Sequence, residues 1–140
     1  MRNTFHARIY EADSCFYEGE LESLVIPTID GEYGVLANHY NVCIAVVDGL
    51  IKYTLEGGEV KYAAVSTGMM RMEDNDVLVL VDSAEHPEEI DANKAREKEI
   101  AAREAMLQKK SMREYALAEA SLKRAVSRLR IKNNYGDPMN

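Results

Sequence analysis

The hydrophobic pattern of the sequence changes its period at Pro87, and this change constrains the fold more than any other feature. Before it, apolar residues alternate with polar ones or form short runs such as residues 77–81, as strands do. After it, apolar residues recur with a helical period in sequence rich in Ala, Glu, Lys and Arg. Proline interrupts a strand but is tolerated in the first turn of a helix. The chain is therefore predicted to divide into a β domain, residues 1–86, and a helical domain, residues 87–140.

Two signals mark the start of the helical domain. Pro87 is followed by Glu88 and Glu89, whose charges suit the positive end of a helix dipole. Asp91 is a second candidate start, because an aspartate oxygen accepts hydrogen bonds from the free backbone N–H groups of the turn that follows. We interpret residues 87–90 as a short turn and predict that Asp91 caps the main helix.

The β domain reads as short strands separated by tight turns. Gly57 and Gly58 stand between two strand-like segments and can adopt the positive φ that a two-residue hairpin loop requires. Residues 73–76 predict a second hairpin turn, and the apolar run at residues 42–47 predicts a strand buried on both faces. Many short strands with closely spaced turns indicate an antiparallel β-sandwich or barrel of about 85 residues.

The helical domain is predicted to contain two helices that meet near Ser111. Ser111 and Glu114 have the spacing of a capping box, so a new helix is expected to begin there. Two helices of about 20 residues joined by almost no loop should fold back on each other. The predicted fold class is therefore α+β, an N-terminal antiparallel β-sandwich followed by a C-terminal antiparallel two-helix hairpin.

The apolar faces of the two helices differ in size. The face of the first helix is made mostly of small residues, namely Ala95, Ala102, Ala105 and Met106, with Ile100 and Leu107 to the side. The second helix carries a fuller stripe, namely Tyr115, Ala118, Leu122, Val126 and Leu129. Because an alanine buries far less area than a leucine, little free energy is expected to separate the closed hairpin from a single extended rod of about 60 Å.

Charge and composition limit the class of protein. The chain has 140 residues and a net charge of −7. Residues 1–86 carry five Lys or Arg against fifteen Asp or Glu (−10), and residues 87–140 carry twelve against nine (+3). An acidic β domain argues against a nucleic-acid partner, and the sequence has no apolar run of the roughly 18 residues that direct membrane insertion needs. A soluble protein with free, buried thiols at Cys15 and Cys43 is expected.

No catalytic pattern is found in the sequence. It lacks a phosphate-binding glycine loop, a zinc-protease motif and a nucleophile elbow, and His6, His39 and His86 are widely spaced. Asp74 and Asp76 are explained by turn formation rather than by metal binding. The sequence predicts a protein that is not an enzyme and has no metal site, and a binding module is the general alternative.

Four local motifs resemble one known family. They are residues 16–27 with the strand end Val-Ile-Pro, residues 30–36 with Gly-Glu-Tyr-Gly followed by His39, residues 63–68 with Ala-Val-Ser-Thr-Gly, and residues 84–91 with Ala-Glu and Ile-Asp. Together with an acidic sandwich and an alanine-rich hairpin, they resemble the epsilon subunit of F-type ATP synthases. Ala37, Asn41 and Thr67 depart from the family pattern, the first two because proline is usual there. Loss of those prolines makes the loop at residues 30–41 less stiff.

The resemblance implies a non-catalytic rotor subunit of the central stalk, which couples rotation of the c-subunit ring to ATP synthesis. Its implied partners are the gamma subunit, the c ring and, when the helices extend, the alpha/beta catalytic head. Its implied location is peripheral, at the cytoplasmic face of a bacterial cell membrane. Residues matching the family's c-ring and gamma contact are Gly31, Glu32, Tyr33 and His39. An ordinary tight turn is the alternative explanation for that loop.

The resemblance also implies that the C-terminal helices regulate ATP hydrolysis. Arg124, Arg128 and Arg130 would be the inhibitory contacts, the alternative being a solvated charged face. Some bacterial members bind ATP as a regulatory ligand, although no cofactor is required. The matching residues here are Ile90, Asp91, Lys94, Ala95, Arg124 and Arg128. Lys94 stands where the family has arginine, and an ammonium lacks the planar fork that binds phosphate in a bidentate manner.

A generic sandwich-and-hairpin binding module remains the principal alternative function. It could form dimers through the larger apolar residues of the second helix, namely Tyr115, Leu122 and Leu129. A small hydrolase is a further alternative, and it requires a nucleophile with a base nearby.

Overall fold

The computed structural model describes residues 3–108 and 112–136 and contains two compact units, residues 1–85 and residues 86–140. The first unit is a β-sandwich and the second consists of helices, which confirms the predicted fold class. Within the described residues, nine strands belong to the first unit. They are β1 (Phe5–Glu11), β2 (Ser14–Thr28), β3 (Gly31–Leu36), β4 (Val42–Val46), β5 (Gly49–Leu55), β6 (Val60–Val65), β7 (Gly68–Glu73), β8 (Asp76–Val81) and β9 (Ala84–Glu85).

The strands form one hydrogen-bonded path in the order β4-β7-β8-β1-β2-β5-β6-β9, with β3 paired to β2. One pairing departs from the predicted antiparallel pattern, because β1 and β8 run parallel with Ala7 opposite Val77. The other described pairings are antiparallel. A parallel pair needs a long connection, and here almost the whole sandwich sequence lies between the two strands.

The predicted turn between β7 and β8 is confirmed, and a hairpin also forms at Gly57 and Gly58. Its loop has three residues, 56–58, instead of the predicted two, because the Leu55 backbone N–H donates to the Glu59 carbonyl oxygen at 2.7 Å. Gly57 and Gly58 connect β5 to β6 with φ of 101° and 97°, values that side chains disfavour. Asp74 and Asn75 connect β7 to β8 with φ of 50° and 65°. Asn and Asp tolerate this left-handed conformation better than most residues do, so the turn forms without glycine.

Two predictions about burial are wrong. Strand β4 alternates between half-buried and exposed side chains until Val46, instead of being buried on both faces. Cys43 and Ala45 are exposed and alternate with less accessible residues, so one side-chain face of β4 meets solvent. Cys43 lies on that face. Cys15 and Cys43 are both free, as predicted, but both are exposed.

The core of the sandwich is made of large apolar side chains that alternate along the strands. Phe5, Ala7 and Ile9 of β1 have no exposed area. In the described part of the chain, the largest fully buried side chains all belong to this unit, and they are Tyr53, Phe5, Ile9, Leu21, Leu24, Ile26, Ile51, Met70, Met72, Val35, Val77 and Val79. Burial of such side chains stabilises a domain by roughly 1.5–3 kcal/mol each, so the sandwich has its own hydrophobic core.

The second unit begins with a 3-10 turn, Pro87–Glu89, followed by helices α1 (Ala92–Gln108) and α2 (Met112–Tyr135). Asp91 caps α1 as predicted, because its Oδ1 accepts a hydrogen bond from the Lys94 backbone N–H at 3.1 Å. Ser111 of the predicted capping box lies outside the described residues. None of the described helices is long and apolar enough to cross a membrane.

The two helices pack against each other, and the end of α2 lies beside the start of the unit. Lys132 Nζ donates to the Glu88 carbonyl oxygen at 3.0 Å, which makes the arrangement antiparallel, as predicted. Gly136 closes the same end, where a Cβ would lie 2.6 Å from the Pro87 carbonyl oxygen. We call these four residues, Pro87, Glu88, Lys132 and Gly136, the terminal clasp.

The packed face of the hairpin consists mainly of alanine. Ala95 and Ala102 of α1 and Ala118 and Ala125 of α2 are buried. The predicted stripe of α2 is therefore partly wrong, since Ala125 is buried while Val126 is only half-buried and Tyr115 is exposed. Small side chains let two helices approach closely, which explains why the contact follows the alanines. Ile100 and Leu107 are 53% and 79% exposed, as their position beside the face predicts.

Candidate functional site

The turn between β2 and β3 positions the first predicted contact residues. Thr28 Oγ1 donates to the Gly31 carbonyl oxygen at 2.6 Å and accepts from the Asp30 backbone N–H at 3.2 Å. Gly31 has a φ of 112°, which a residue with a side chain adopts only under strain. Ile29 is 88% exposed within this turn. The turn thus holds an apolar side chain in solvent on a well-defined backbone.

Strand β3 has two different faces. Glu32 and Leu36 alternate onto the exposed face, where 64% of Leu36 is accessible. Val35 is buried on the opposite face, and Tyr33 is half-buried there. The strand therefore presents a carboxylate and an apolar side chain to solvent while its other face is attached to the core.

Tyr33, His39 and Tyr40 form a hydrogen-bonded cluster, which we call the Tyr-His-Tyr cluster. The Tyr33 hydroxyl lies 2.9 Å from His39 Nε2 and 3.2 Å from the Tyr40 hydroxyl. His39 Nδ1 lies 2.7 Å from the Tyr40 carbonyl oxygen, and the rings of His39 and Tyr40 are 4.2 Å apart. The hydrogen bond with Tyr40, together with partial desolvation, raises the pKa of Tyr33 above its ordinary value. Tyr40 was not among the predicted residues.

The loop that carries His39 is attached to the β7–β8 turn at two points. The Asn38 backbone N–H donates to Asn75 Oδ1 at 2.7 Å, and the Asp74 backbone N–H donates to Asn41 Oδ1 at 2.9 Å. Asn41 is one of the positions at which the resemblance implied a proline. Its side chain therefore supplies by hydrogen bonding some of the order that the missing ring would have supplied covalently. This hydrogen bond from Asp74 to Asn41 joins distant parts of the sequence, so only the tertiary structure reveals it.

The predicted nucleotide-binding residues lie toward the end of the hairpin that carries the terminal clasp, but their side chains differ in solvent exposure. Ile90 and Ala95 are each only 2% exposed, whereas Lys94 and Arg124 are exposed. Asp91 is exposed, and its Oδ1 already caps α1. Arg128 is half-buried and Arg130 is exposed. Antiparallel packing places this part of α2 alongside the first turns of α1.

An open cavity in the helical unit lies away from these residues. It has a volume of about 480 Å³ and is lined by Lys98, Ala101, Ala102, Ala105, Glu114, Leu117, Ala118 and Ser121. None of the predicted nucleotide-binding residues lines it. Within the parts of the chain that the structure describes, no three His, Cys, Asp or Glu side chains are grouped so as to hold a metal ion.

Comparison with known families matches both units. The ATP synthase delta/epsilon chain β-sandwich domain matches residues 4–87, and the long α-helix domain of the same chain matches residues 88–133. The solved mitochondrial ATP synthase of Euglena gracilis contains a chain with a TM-score of 0.79 at 22% identity, covering 91% of this chain and 80% of that chain. The central stalk and c-ring structure from Tetrahymena thermophila gives a TM-score of 0.63 at 11% identity. These structures share the fold.

Closer relatives are bacterial. The ATP synthase epsilon chain of Caldanaerobacter subterraneus is 36% identical over 135 residues, which cover 96% of this chain and 98% of that one. The epsilon chain of Ruminiclostridium cellulolyticum is 35% identical over 130 residues, which cover 93% and 96%. The resemblance seen in the sequence motifs is thereby confirmed. The chain belongs to the ATP synthase delta/epsilon chain family, among the members named epsilon chain, which are not catalytic subunits.

Proposed function

We propose that this protein is a central-stalk rotor subunit of a bacterial F-type ATP synthase, located peripherally at the cytoplasmic face of the cell membrane. The sandwich binds the gamma subunit and the c ring, and so couples rotation of the ring to ATP synthesis in the catalytic head. The observation that carries the proposal is the relationship to epsilon chains across both units, at 36% identity over nearly the whole length of one relative. If only the sandwich matched epsilon chains, the proposed function would have weaker support.

The contact with the c ring and gamma is assigned to Gly31, Glu32, Tyr33 and His39. Gly31 fixes the turn, and Glu32 is exposed on β3. Tyr33 and His39 are joined at 2.9 Å and hold the following loop against the strand. A preorganised surface loses less conformational entropy on binding than a mobile one does, which favours this loop as a docking element.

Exchange of Glu32 for lysine tests this assignment. Glu32→Lys should reduce co-purification with the gamma subunit and c ring, because it reverses an exposed charge in the contact. The stability of the isolated chain should change by no more than about 0.5 kcal/mol. Glu59→Lys provides a matched control, since Glu59 is also an exposed glutamate beside a hairpin turn. Equal co-purification of the two variants would contradict the assignment.

The helical unit is assigned a regulatory role. The exposed cations Arg124 and Arg130, together with Arg128, are proposed to contact acidic segments of the alpha/beta catalytic head when the helices extend. An alanine face offers little area, so the closed hairpin can open at a small cost in free energy. Removal of residues 88–140 from the assembled complex should therefore raise its rate of ATP hydrolysis. An unchanged rate would exclude an inhibitory role for these helices.

ATP is proposed as the ligand that favours the closed hairpin. Lys94 on α1 and Arg124 on α2 are exposed cations that can pair with phosphate oxygens. Arg128, also on α2, adds a third cation. A ligand that binds residues of both helices shifts the equilibrium only by its differential affinity for the closed state. The buried Ile90 and Ala95 would reach the base only after local rearrangement of the first turn of α1.

Calorimetry of the isolated chain with ATP tests this ligand. Lys94→Arg should tighten binding, because the guanidinium restores bidentate pairing with phosphate. Lys98→Arg, one turn further along α1, is the matched control and should bind like the parent. If the parent and Lys94→Arg both fail to bind ATP, residues 90–95 serve only to start the helix, and the partner subunits alone control opening.

A further inference from the structure

The two ends of the hairpin are packed in different ways. At the end that carries the terminal clasp, Ile90 and Ile131 are 2% and 5% exposed. They are the largest of the buried hydrophobic side chains described in the helical unit. Pro87 of the clasp is buried as well. Because hydrophobic stabilisation grows with the buried apolar area, most of the apolar stabilisation of the hairpin is concentrated at this end.

The opposite end, which we call the far end, comprises residues 98–107 of α1 and 113–121 of α2. Its buried hydrophobic residues, within the part of the unit that the structure describes, are Ala102 and Ala118. Leu107 and Leu117 are 79% and 62% exposed. The open cavity of about 480 Å³ also lies here, between the two helices. Side chains that line a cavity lack partner atoms on one side, so the far end holds α1 and α2 together only weakly.

Polar contacts add to the packing at the clasp. Lys132 Nζ donates to the Glu88 carbonyl oxygen at 3.0 Å, and the two residues are 44 positions apart in the sequence. The Gly136 backbone N–H donates to the Lys132 carbonyl oxygen at 3.1 Å. A hydrogen bond from an ammonium group is stronger than one between neutral groups. The last turn of α2 is therefore fastened to the 3-10 turn by a charged donor as well as by apolar contact.

The lack of a side chain at Gly136 is part of the same contact. A Cβ at this position would lie 2.6 Å from the Pro87 carbonyl oxygen and 2.7 Å from Lys132 Cδ. Both distances are shorter than van der Waals contact allows. Glycine thus lets the end of α2 lie directly against the 3-10 turn while the Lys132 side chain reaches Glu88.

We propose that the terminal clasp is the latch of the hairpin, so that the far end separates first and α2 leaves α1 completely only after Lys132 and Gly136 leave the 3-10 turn. The end of a helix is ordinarily the first part to open, and the clasp reverses that order for α2. The regulatory consequence rests on the function proposed above, in which extended helices inhibit ATP hydrolysis. Release of the clasp is then the step that permits extension.

Native-state hydrogen exchange on the intact isolated chain tests the order of opening. In the parent, amides 127–132 should be protected at least about tenfold more strongly than amides 102–107 and 117–121. Lys132→Met removes the donor and keeps a side chain of similar length. It should raise the exchange rate of amides 127–132 roughly tenfold, the effect of losing one hydrogen bond from a charged group. Weaker protection of amides 127–132 than of the far end in the parent would overturn the proposal.

Two further variants separate the latch from a general effect of charge. Lys123→Met removes another lysine of α2, whose Nζ lies 3.6 Å from a Glu119 carboxylate oxygen, and should leave amides 127–132 at the parent's exchange rate. Gly136→Ala disturbs the clasp through the backbone and should accelerate the same amides as Lys132→Met. Equal effects of Lys132→Met and Lys123→Met would refute the latch.

ATP hydrolysis by the assembled complex tests the regulatory consequence separately. Lys132→Met should lower the rate by no more than about tenfold, because the lost hydrogen bond raises the open population by no more than that factor. Lys123→Met should hydrolyse ATP at the parent's rate. If exchange shows the latch but the Lys132→Met complex keeps the parent's rate, the inhibitory role in the proposed function is refuted and the latch stands. If the exchange rates do not change, the latch is refuted whatever the hydrolysis rate.

Discussion

The sandwich and the hairpin are stabilised by different kinds of side chain. Among the residues that the structure describes, the largest fully buried side chains all lie in the sandwich. Of the six buried hydrophobic residues described in the helical unit, four are alanine (Ala95, Ala102, Ala118 and Ala125) and the other two are Ile90 and Ile131. Buried area determines hydrophobic stabilisation at about 25 cal/mol per Å². One chain thus combines a sandwich that has a core of large apolar side chains with a helical unit whose packed face is mostly alanine.

The largest expected difference between the units comes from shortening a leucine in each. Leu24→Ala removes a fully buried side chain from the sandwich and should lower the free energy of unfolding by about 2–5 kcal/mol. Leu107→Ala is the matched change in α1, where the side chain is 79% exposed, and should have little effect. Chemical denaturation followed by circular dichroism measures both. Similar losses of unfolding free energy in the two variants would contradict the difference in packing between the two units.

A smaller effect is expected at the terminal clasp. A Cβ on Gly136 would lie 2.6 Å from the Pro87 carbonyl oxygen and 2.9 Å from that of Lys132. Gly136→Ala should therefore separate the end of α2 from the 3-10 turn and weaken hairpin closure by about 1–3 kcal/mol. Backbone NMR shifts of residues 86–136 should change while those of the sandwich stay fixed. Gly34→Ala is the control, because a Cβ there meets no atom within 4 Å.

The smallest expected effect concerns the cap of α1. Asp91→Ala removes the acceptor for the Lys94 N–H and should cost about 0.5–2 kcal/mol of helix stability. Asp91→Asn keeps an acceptor oxygen, so its helix stability should stay within about a few tenths of a kcal/mol of the parent's. Measuring the helix content of each variant as a function of temperature distinguishes these outcomes. Equal losses in both variants would show that the carboxylate charge, rather than the cap, stabilises the first turn.

Features that depend on neighbouring residues could be predicted from the sequence. The glycine pair at residues 57 and 58, the cap at Asp91 and the thin alanine face all follow from local patterns, and all occur in the structure. The parallel pairing of β1 with β8 joins Ala7 to Val77, seventy positions apart, so no local pattern signals it. The exposure of Cys43 likewise depends on which face of β4 is turned away from the core, and tertiary packing sets that face.

The candidate site was predictable in part for the same reason. Gly31, Glu32, Tyr33 and His39 could be named from a loop motif, but the motif did not identify Tyr40, whose hydroxyl completes the cluster. The attachment of Asn38 to Asn75 also joins distant segments. At Asn41 the absent proline suggested a less stiff loop, yet the asparagine side chain anchors it to the β7–β8 turn.

Native-state hydrogen exchange on the intact chain tests the central claim most directly, because it reports the opening free energy of each unit within one sample. The amides of α1 and α2 should exchange through openings that cost at least about 2 kcal/mol less than those of β1 and β8, since the alanine face contributes little to closure. Equal opening free energies in the helices and the core strands would contradict the claim that the hairpin opens independently of the sandwich.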